Sequence, residues 1–553
     1  MKKMYLILLG VLLLPFKQME SQDIEKGKWY AGEKQYESSR RIFQSILEKN
    51  PADAKALYYM GQLYYVNGKP DSAEIFYQQG TIADAKYPFN YIGLGKIQLN
   101  KSNRTEWFKY YEKGRKLNYD LFEYNLEAGN ACLSTNTQNL DLSKKYLEEA
   151  KEDNAKDCRL LISLGDFSLI SKSPGDALNE YERAIYYDKH CIMAYVKSGE
   201  IYAKASNFRD GINAFNQAIA LDSAQILAYK ERGDLYYTFG KYNEAKADYD
   251  IYMHRSDNSI TDKERYAFIL FFSKNYDQAQ ELVDEVIQID PGNTVMFRVA
   301  AYVDYENADF LSGLDNIEYF FTHHDTARFI ALDYIYYGHL LIKDAQDSLG
   351  TVQLETALKM DTTRSELYEE VGKSYSKQKK YLKAIEYYQK LNSSNSTNQS
   401  NVYYQIGRNY YFMAEDSLTA CDSLCKAQLY LKADSCFEIM ILHSPNSYVG
   451  YIWRGRALSK LDPETTQGLA KPAYEKAMML IEAGDISKTQ KLVIECYRYL
   501  AFYHYVMAEK LLPTSAAQAD IEMTNSVNYW TKILNLEPSD QQAQTALQNL
   551  QKM

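Results

Sequence analysis

LYYMGQLYYVNGKPDSAEIFYQQGT, residues 57–81, carries the pattern that decides the fold. Gly61 stands among large apolar residues, a second small residue, Ala73, follows twelve positions later, and Tyr77 comes four after that. Between the small residues lies Asn67-Gly68-Lys69-Pro70, a run of turn formers. The spacing predicts a helix over 57–66, a turn, and an antiparallel helix over 71–81. The small residues sit where the two helices cross, and the aromatic fills the space beside that crossing.

The arrangement recurs. Glycine or alanine stands at Gly27, Gly61, Gly95, Gly129, Gly165, Gly199, Gly233, Ala267, Ala301, Gly338, Gly372, Gly407, Gly455 and Ala501, with intervals mostly of 34 residues. Eleven of the 26 glycines fall on this one series, so chance does not account for it. Sixteen positions after the small residue come large side chains such as Phe43, Tyr77, Tyr181, Phe215, Tyr249 and Tyr388. The seventh repeat predicts helices over 227–239 and 242–252.

A fixed phase of small and aromatic residues over a 34-residue period resembles the tetratricopeptide repeat family, and the resemblance covers about residues 20 to 538. It implies an all-α fold, an α-α superhelical solenoid of about 13–14 helix pairs closed by a C-terminal capping helix. The expected organisation is a signal peptide over 1–21, a regular solenoid over 22–391 and a polar loop over 392–400 that offers a hinge. Divergent repeats follow over 401–538, and the capping helix over 539–553. Three departures stand out. Trp107 occupies a small-residue slot and predicts an opened crossing; two extra residues fall near 136–140; and about a dozen residues, including 418–426, predict a lengthened helix pair after Tyr411.

Composition narrows the function. The 553 residues carry a formal charge of -10 with both signs interspersed, which argues against a nucleic-acid binder. The 52 tyrosines suit partly exposed interfaces, where a ring packs and its hydroxyl reaches a polar partner. Lys2 and Lys3 precede an apolar run from Met4 to Leu14 and then a polar stretch, the layout of a secretory signal with a junction near Gln22. The expected location is therefore the periplasm. No cysteine follows the apolar run, which disfavours a lipid anchor, and no later segment is apolar enough to span a membrane. The seven cysteines (Cys132, Cys158, Cys191, Cys421, Cys425, Cys436 and Cys496) lack a Cys-x-x-Cys pair and read mainly as buried thiols.

No phosphate loop, nucleophile motif or zinc spacing occurs, so the reading is a protein that is not an enzyme and takes no cofactor or metal. Acid pairs such as Glu148/Glu149 read as solvated charge. The family resemblance implies a groove lined by the first helix of each pair, binding other proteins or extended peptide segments. In that register Tyr237, Phe268, Phe271, Tyr302 and Tyr305 form an expected exposed aromatic stripe, flanked by Lys230, Glu264 and Arg298, and Tyr404, Arg408 and Tyr411 form a further part of the surface. Two functions stay open. One is a non-catalytic scaffold in the cell envelope, serving export, surface assembly or motility; the other is an accessory or regulatory subunit of an envelope enzyme or transporter.

Overall fold

Asp53 begins the second repeat by accepting hydrogen bonds from the backbone N–H groups of Lys55 and Ala56, capping the helix Ala54–Val66. Gly68 then turns the chain with φ +71°, and Pro70 opens the partner helix Pro70–Ala83, where its missing N–H costs nothing. The same construction runs along the computed structural model, in pairs such as Cys158–Ile170 with Pro174–Tyr187 and Ile226–Thr238 with Tyr242–Arg255. Residues 22–550 are described, except 118, 136–138, 326–327, 394–397, 418–420 and 485. Among them all regular structure is helical. The expected signal segment and parts of the fourth-repeat insertion, the polar loop and the 418–426 stretch lie outside the described residues.

The glycine series is a packing device. A Cβ on Gly61 would lie 2.3 Å from the Tyr77 ring, one on Gly165 2.2 Å from Tyr181, one on Gly199 2.5 Å from Phe215 and one on Gly233 2.7 Å from Tyr249. The aromatic sixteen residues on therefore lies directly on the bare Cα, not beside the crossing as the spacing suggested. Trp107 corrects a second expectation. It is completely buried, its ring lies where a Cβ on Gly95 would fall, and its indole N–H donates to the Tyr146 hydroxyl at 3.2 Å. The indole thus takes over the covering role, and Tyr111 is released to pack on Tyr124 and Tyr146. In the lengthened pair, Gln399–Glu415 with Ser423–His443, Phe437 covers Gly407 in the same manner.

Seven positions after the small residue the backbone enters the left-handed region in nearly every described repeat. Glycine serves there only at Gly68 and Gly240, whereas Lys34, Ser102, Lys172, Ser206, Lys274, Ala308, Ala345 and Lys379 adopt φ between 57° and 63°. The turn geometry is thus imposed by the helix pair even where the residue type resists it.

Four cysteines form disulfides, which corrects the thiol reading. Cys158 and Cys191 join the starts of the first helices of two successive repeats, with Cα atoms 6.0 Å apart, and Cys421 joins Cys425 in the insertion. Cys132, Cys436 and Cys496 remain free. The two members of the first pair stand 33 residues apart, almost one repeat, so equivalent ends of neighbouring first helices bring them together.

The chain forms two compact units, one ending at Val299 and one beginning at Ala300. Within the first unit, the turn before Tyr36–Lys49 meets the seventh repeat. Gln35 and Gln225, which precede the helices Tyr36–Lys49 and Ile226–Thr238, provide no side-chain cap of their own. Each helix takes a carboxylate from the other repeat instead. Asp257 accepts from the backbone N–H groups of Glu37 at 2.9 Å and Ser38 at 3.1 Å, and from the Ser38 hydroxyl at 2.6 Å. Glu33 accepts from the Leu227 N–H at 2.9 Å and from the Gln225 amide. Lys34 lies 3.9 Å from Glu231 and Arg41 3.5 Å from Asp257. This reciprocal clasp buries Glu33, and burial pushes its carboxyl up to about 7, against the Leu227 and Ile226 N–H groups and Lys34, which lower it.

Candidate partner-binding surface

In several repeats the residue just after the small residue faces the first helix of the next repeat, where it meets the side chain two places before that repeat's own small residue. Asp166 takes the ammonium of Lys197 at 2.8 Å. Asp234 lies 3.2 Å from Arg265. In the second unit Tyr302 stacks on Tyr336 with ring centroids 4.4 Å apart, and His339 bonds to Glu370 at 2.6 Å. The tyrosine that covers the glycine joins the same network. Tyr181 donates to Asp166 at 2.6 Å, and Tyr249 donates to Asp234 at 2.9 Å. One side chain therefore packs the helix pair and orients a carboxylate that grips the following repeat, which helps explain the abundance of tyrosine.

Polar groups on this face of the first unit are largely committed. Lys96 is buried, donates to Gln62 at 3.1 Å and rests 3.8 Å from the centre of the Tyr65 ring; burial lowers its ammonium to about 8. Gln62 in turn donates to Glu127 at 3.0 Å, and Tyr58 donates to the same carboxylate. Lys230, expected as a free rim charge, bonds Asp234 at 2.8 Å, and Glu264 accepts from Asn293 at 2.6 Å.

The expected aromatic stripe is not a continuous exposed surface. Tyr237, Phe268 and Phe271 belong to the first unit, Tyr302 and Tyr305 to the second. Phe271 is 5% exposed and Tyr302 is fully buried, its hydroxyl directed at the buried Asp333. Both are core residues. Tyr302 is pulled inside because the slot it meets in the next repeat holds another ring, Tyr336. Tyr237, Phe268 and Tyr305 are half-buried; Tyr237 carries the Arg265 guanidinium 4.9 Å from its centre, and Tyr305 stacks with His339 at 5.6 Å.

Tyr404, Arg408 and Tyr411 do come together, and with them a residue that the repeat register did not single out. Trp453, on the helix Tyr448–Leu461, lies 6.1 Å from Tyr404, 5.6 Å from Tyr411 and 5.8 Å from Phe412 between ring centres. The Arg408 guanidinium sits 5.3 Å from Tyr404, 5.4 Å from Phe412 and 5.4 Å from Trp453. Beside it Arg456 lies 4.7 Å from the Trp453 ring and is held by Glu495 at 2.6 and 2.8 Å. Phe412 remains 37% exposed, and Trp453, Tyr404, Tyr411 and Arg408 are half-buried, so one side of the cluster is open to a ligand. The signal for Trp453 was its distance of two residues before Gly455, the slot that holds Lys197 and Arg265 elsewhere.

Among the described residues no helix is long and apolar enough to cross a membrane. Models of the tetratricopeptide repeat match residues 30–91, 196–259 and 365–398. No curated protein matches the chain. Among solved structures, the C-terminal part of a TPR repeat-containing protein from Cytophaga hutchinsonii is 30% identical. It aligns with 51% of this chain and 99% of its own length at a TM-score of 0.41. A tetratricopeptide repeat protein from Parabacteroides merdae is 17% identical over 46% of this chain and 98% of its own, with a TM-score of 0.32. Yeast Tom70 is 14% identical over 77% and 97%, with a TM-score of 0.28. The glycine-on-aromatic contact repeated every 34 residues and three repeat models spread along it have one reading: the chain belongs to the tetratricopeptide repeat family.

Proposed function

We propose that this protein is a non-catalytic interaction scaffold of a bacterial cell envelope, and that it holds an extended segment of a partner protein on the first helices of its second unit. Tetratricopeptide repeat proteins in general mediate protein–protein interaction. The observation that carries the reading is the half-exposed cluster of Tyr404, Tyr411, Phe412 and Trp453 around Arg408. Aromatic and arginine side chains gathered on an open surface are the usual composition of a binding hot spot. Export is supported by the Lys-then-apolar amino terminus and by two disulfides, which persist in oxidising compartments.

Two measurements test this. Tyr404→Ala combined with Phe412→Ala should abolish capture of the native partner while leaving the thermal melt within a few degrees, since both side chains retain exposure. Unchanged capture removes the surface assignment. Mass spectrometry of the protein from its own cells should find an amino terminus near Gln22; a chain that starts at Met1 in a cytosolic fraction overturns export.

A further inference from the structure

At Arg408 the contact between neighbouring repeats takes a different form from the ionic pairs described above. Asp166 and Asp234 meet Lys197 and Arg265 in the slot two places before the next small residue, and His339 meets Glu370. Arg408 occupies the same position as Asp166, Asp234 and His339, but the slot it faces holds Trp453. Four other arginines of the second unit lie on carboxylates: Arg364 on Asp361 at 3.2 Å, Arg454 on Asp434 at 2.8 Å, Arg456 on Glu495 at 2.6 Å and Arg498 on Asp540 at 2.5 Å. Arg408 has no carboxylate within ion-pair distance among the described residues, and its Nε–H is buried without an acceptor. Three aromatic faces hold the guanidinium in place, and cation–π contacts leave its hydrogen-bonding edge unused.

We propose, resting on the reading above, that Arg408 receives the carboxylate of an Asp or Glu side chain within an extended partner segment. A guanidinium fork matches a carboxylate in plane and charge, and the pair is stronger than the aromatic contacts that hold the arginine ready. Arg456 adds no competing demand because Glu495 already neutralises it. Tyr404 and Phe412 lie four residues before and four after Arg408, so apolar surface flanks the charge on both sides along the helix. A chain that continues past the acid in both directions covers both rings; a terminal carboxylate leaves one of them bare. The partner motif is therefore an acidic residue between apolar ones.

The test selects peptides from a random phage-displayed library on the full chain and measures the selected sequences, amidated at the carboxyl terminus, by fluorescence anisotropy. Selected peptides should carry Asp or Glu between apolar residues, and the Asn or Gln version should bind roughly tenfold more weakly or worse. Arg408→Gln should erase that difference, and Arg408→Lys should restore part of it. Because Arg408 has no ion-pair partner among the described residues and its Nε–H has no acceptor there, the melt of Arg408→Gln should stay within a few degrees of the parent. Peptides without acidic residues, peptides that bind Arg408→Gln equally well, or binding that needs a free carboxyl terminus overturn this inference. If such peptides still lose binding to Trp453→Ala, the surface assignment survives; if they do not, or if no peptide is selected, both readings fall.

Discussion

Asp234 and Arg408 occupy equivalent positions in their repeats, one in each compact unit, and their surroundings differ. Asp234 is held by Tyr249, Lys230 and Arg265, all within the first unit. Arg408 rests on three rings and has no ionic partner among the described residues of the second. The same backbone design therefore serves two ends. Where the facing slot carries the opposite charge, repeats are bound to each other; where it carries tryptophan, a cation is left for something else. The clasp extends the first behaviour, since even helix ends of the first unit are capped by residues 194 to 220 positions away.

Disulfides give the largest expected contrast between the units. The Cys158–Cys191 loop spans 33 residues and the Cys421–Cys425 loop only four. Chain-entropy reasoning then assigns about 3–4 kcal/mol to the first and about 2 kcal/mol to the second. Replacing Cys158 and Cys191 by serine should lower the melt of the first unit more than the same change at Cys421 and Cys425 lowers the second, as differential scanning calorimetry would show. An equal effect breaks the comparison.

Next comes Gly233→Leu. The Tyr249 ring lies 2.7 Å from where even a Cβ would stand, so overpacking should cost about 1–3 kcal/mol. In a repeat protein the loss should stay local, with faster hydrogen exchange near the seventh repeat. The clasp provides a route for spread, and exchange in Tyr36–Lys49 should rise too. Uniform loosening of both units contradicts this picture.

Asp257→Ala addresses the clasp alone. It removes the acceptor of the Glu37 and Ser38 N–H groups, a loss of about 1–2 kcal/mol, and should raise exchange in Tyr36–Lys49 without touching the second unit. Its partner Glu33 sets a pH dependence. With its carboxyl pushed up to about 7 in the folded chain, the clasped state holds a proton that the released chain gives up at its ordinary, lower value. The Glu33 contribution is complete below that ordinary carboxylate range and is lost as pH rises through about 7. Asp222 adds to the upward shift, and Lys34 opposes it. Glu33→Gln should flatten this profile over pH 4.5 to 7; a profile identical to the parent removes Glu33 from the clasp.

The smallest effect belongs to the turns. Lys274 in the first unit and Ala308 in the second hold φ near 61° and 62°, where glycine is at ease. Lys274→Gly and Ala308→Gly should each stabilise by about 0.5–1 kcal/mol and by similar amounts, measured by denaturant melts. A clear difference would show that the units strain their turns unequally.

Much of this molecule was written in its 34-residue period. The series of small residues located each crossing, the aromatic sixteen residues on marked the side chain that covers it, and turns such as Gly68 and Gly240 fell where expected. Those relations are local, between residues of one helix pair, so a single repeat contains their cause. Tertiary structure decided the rest. Whether Tyr302 lay in the core or on the surface depended on Tyr336 in the next repeat, and whether Arg408 was paired depended on Trp453 across an insertion. The clasp between Glu33 and Leu227 joins residues 194 positions apart. The curvature that brings the first repeat to the seventh accumulates from small rotations at every crossing, and no single window of sequence contains that sum.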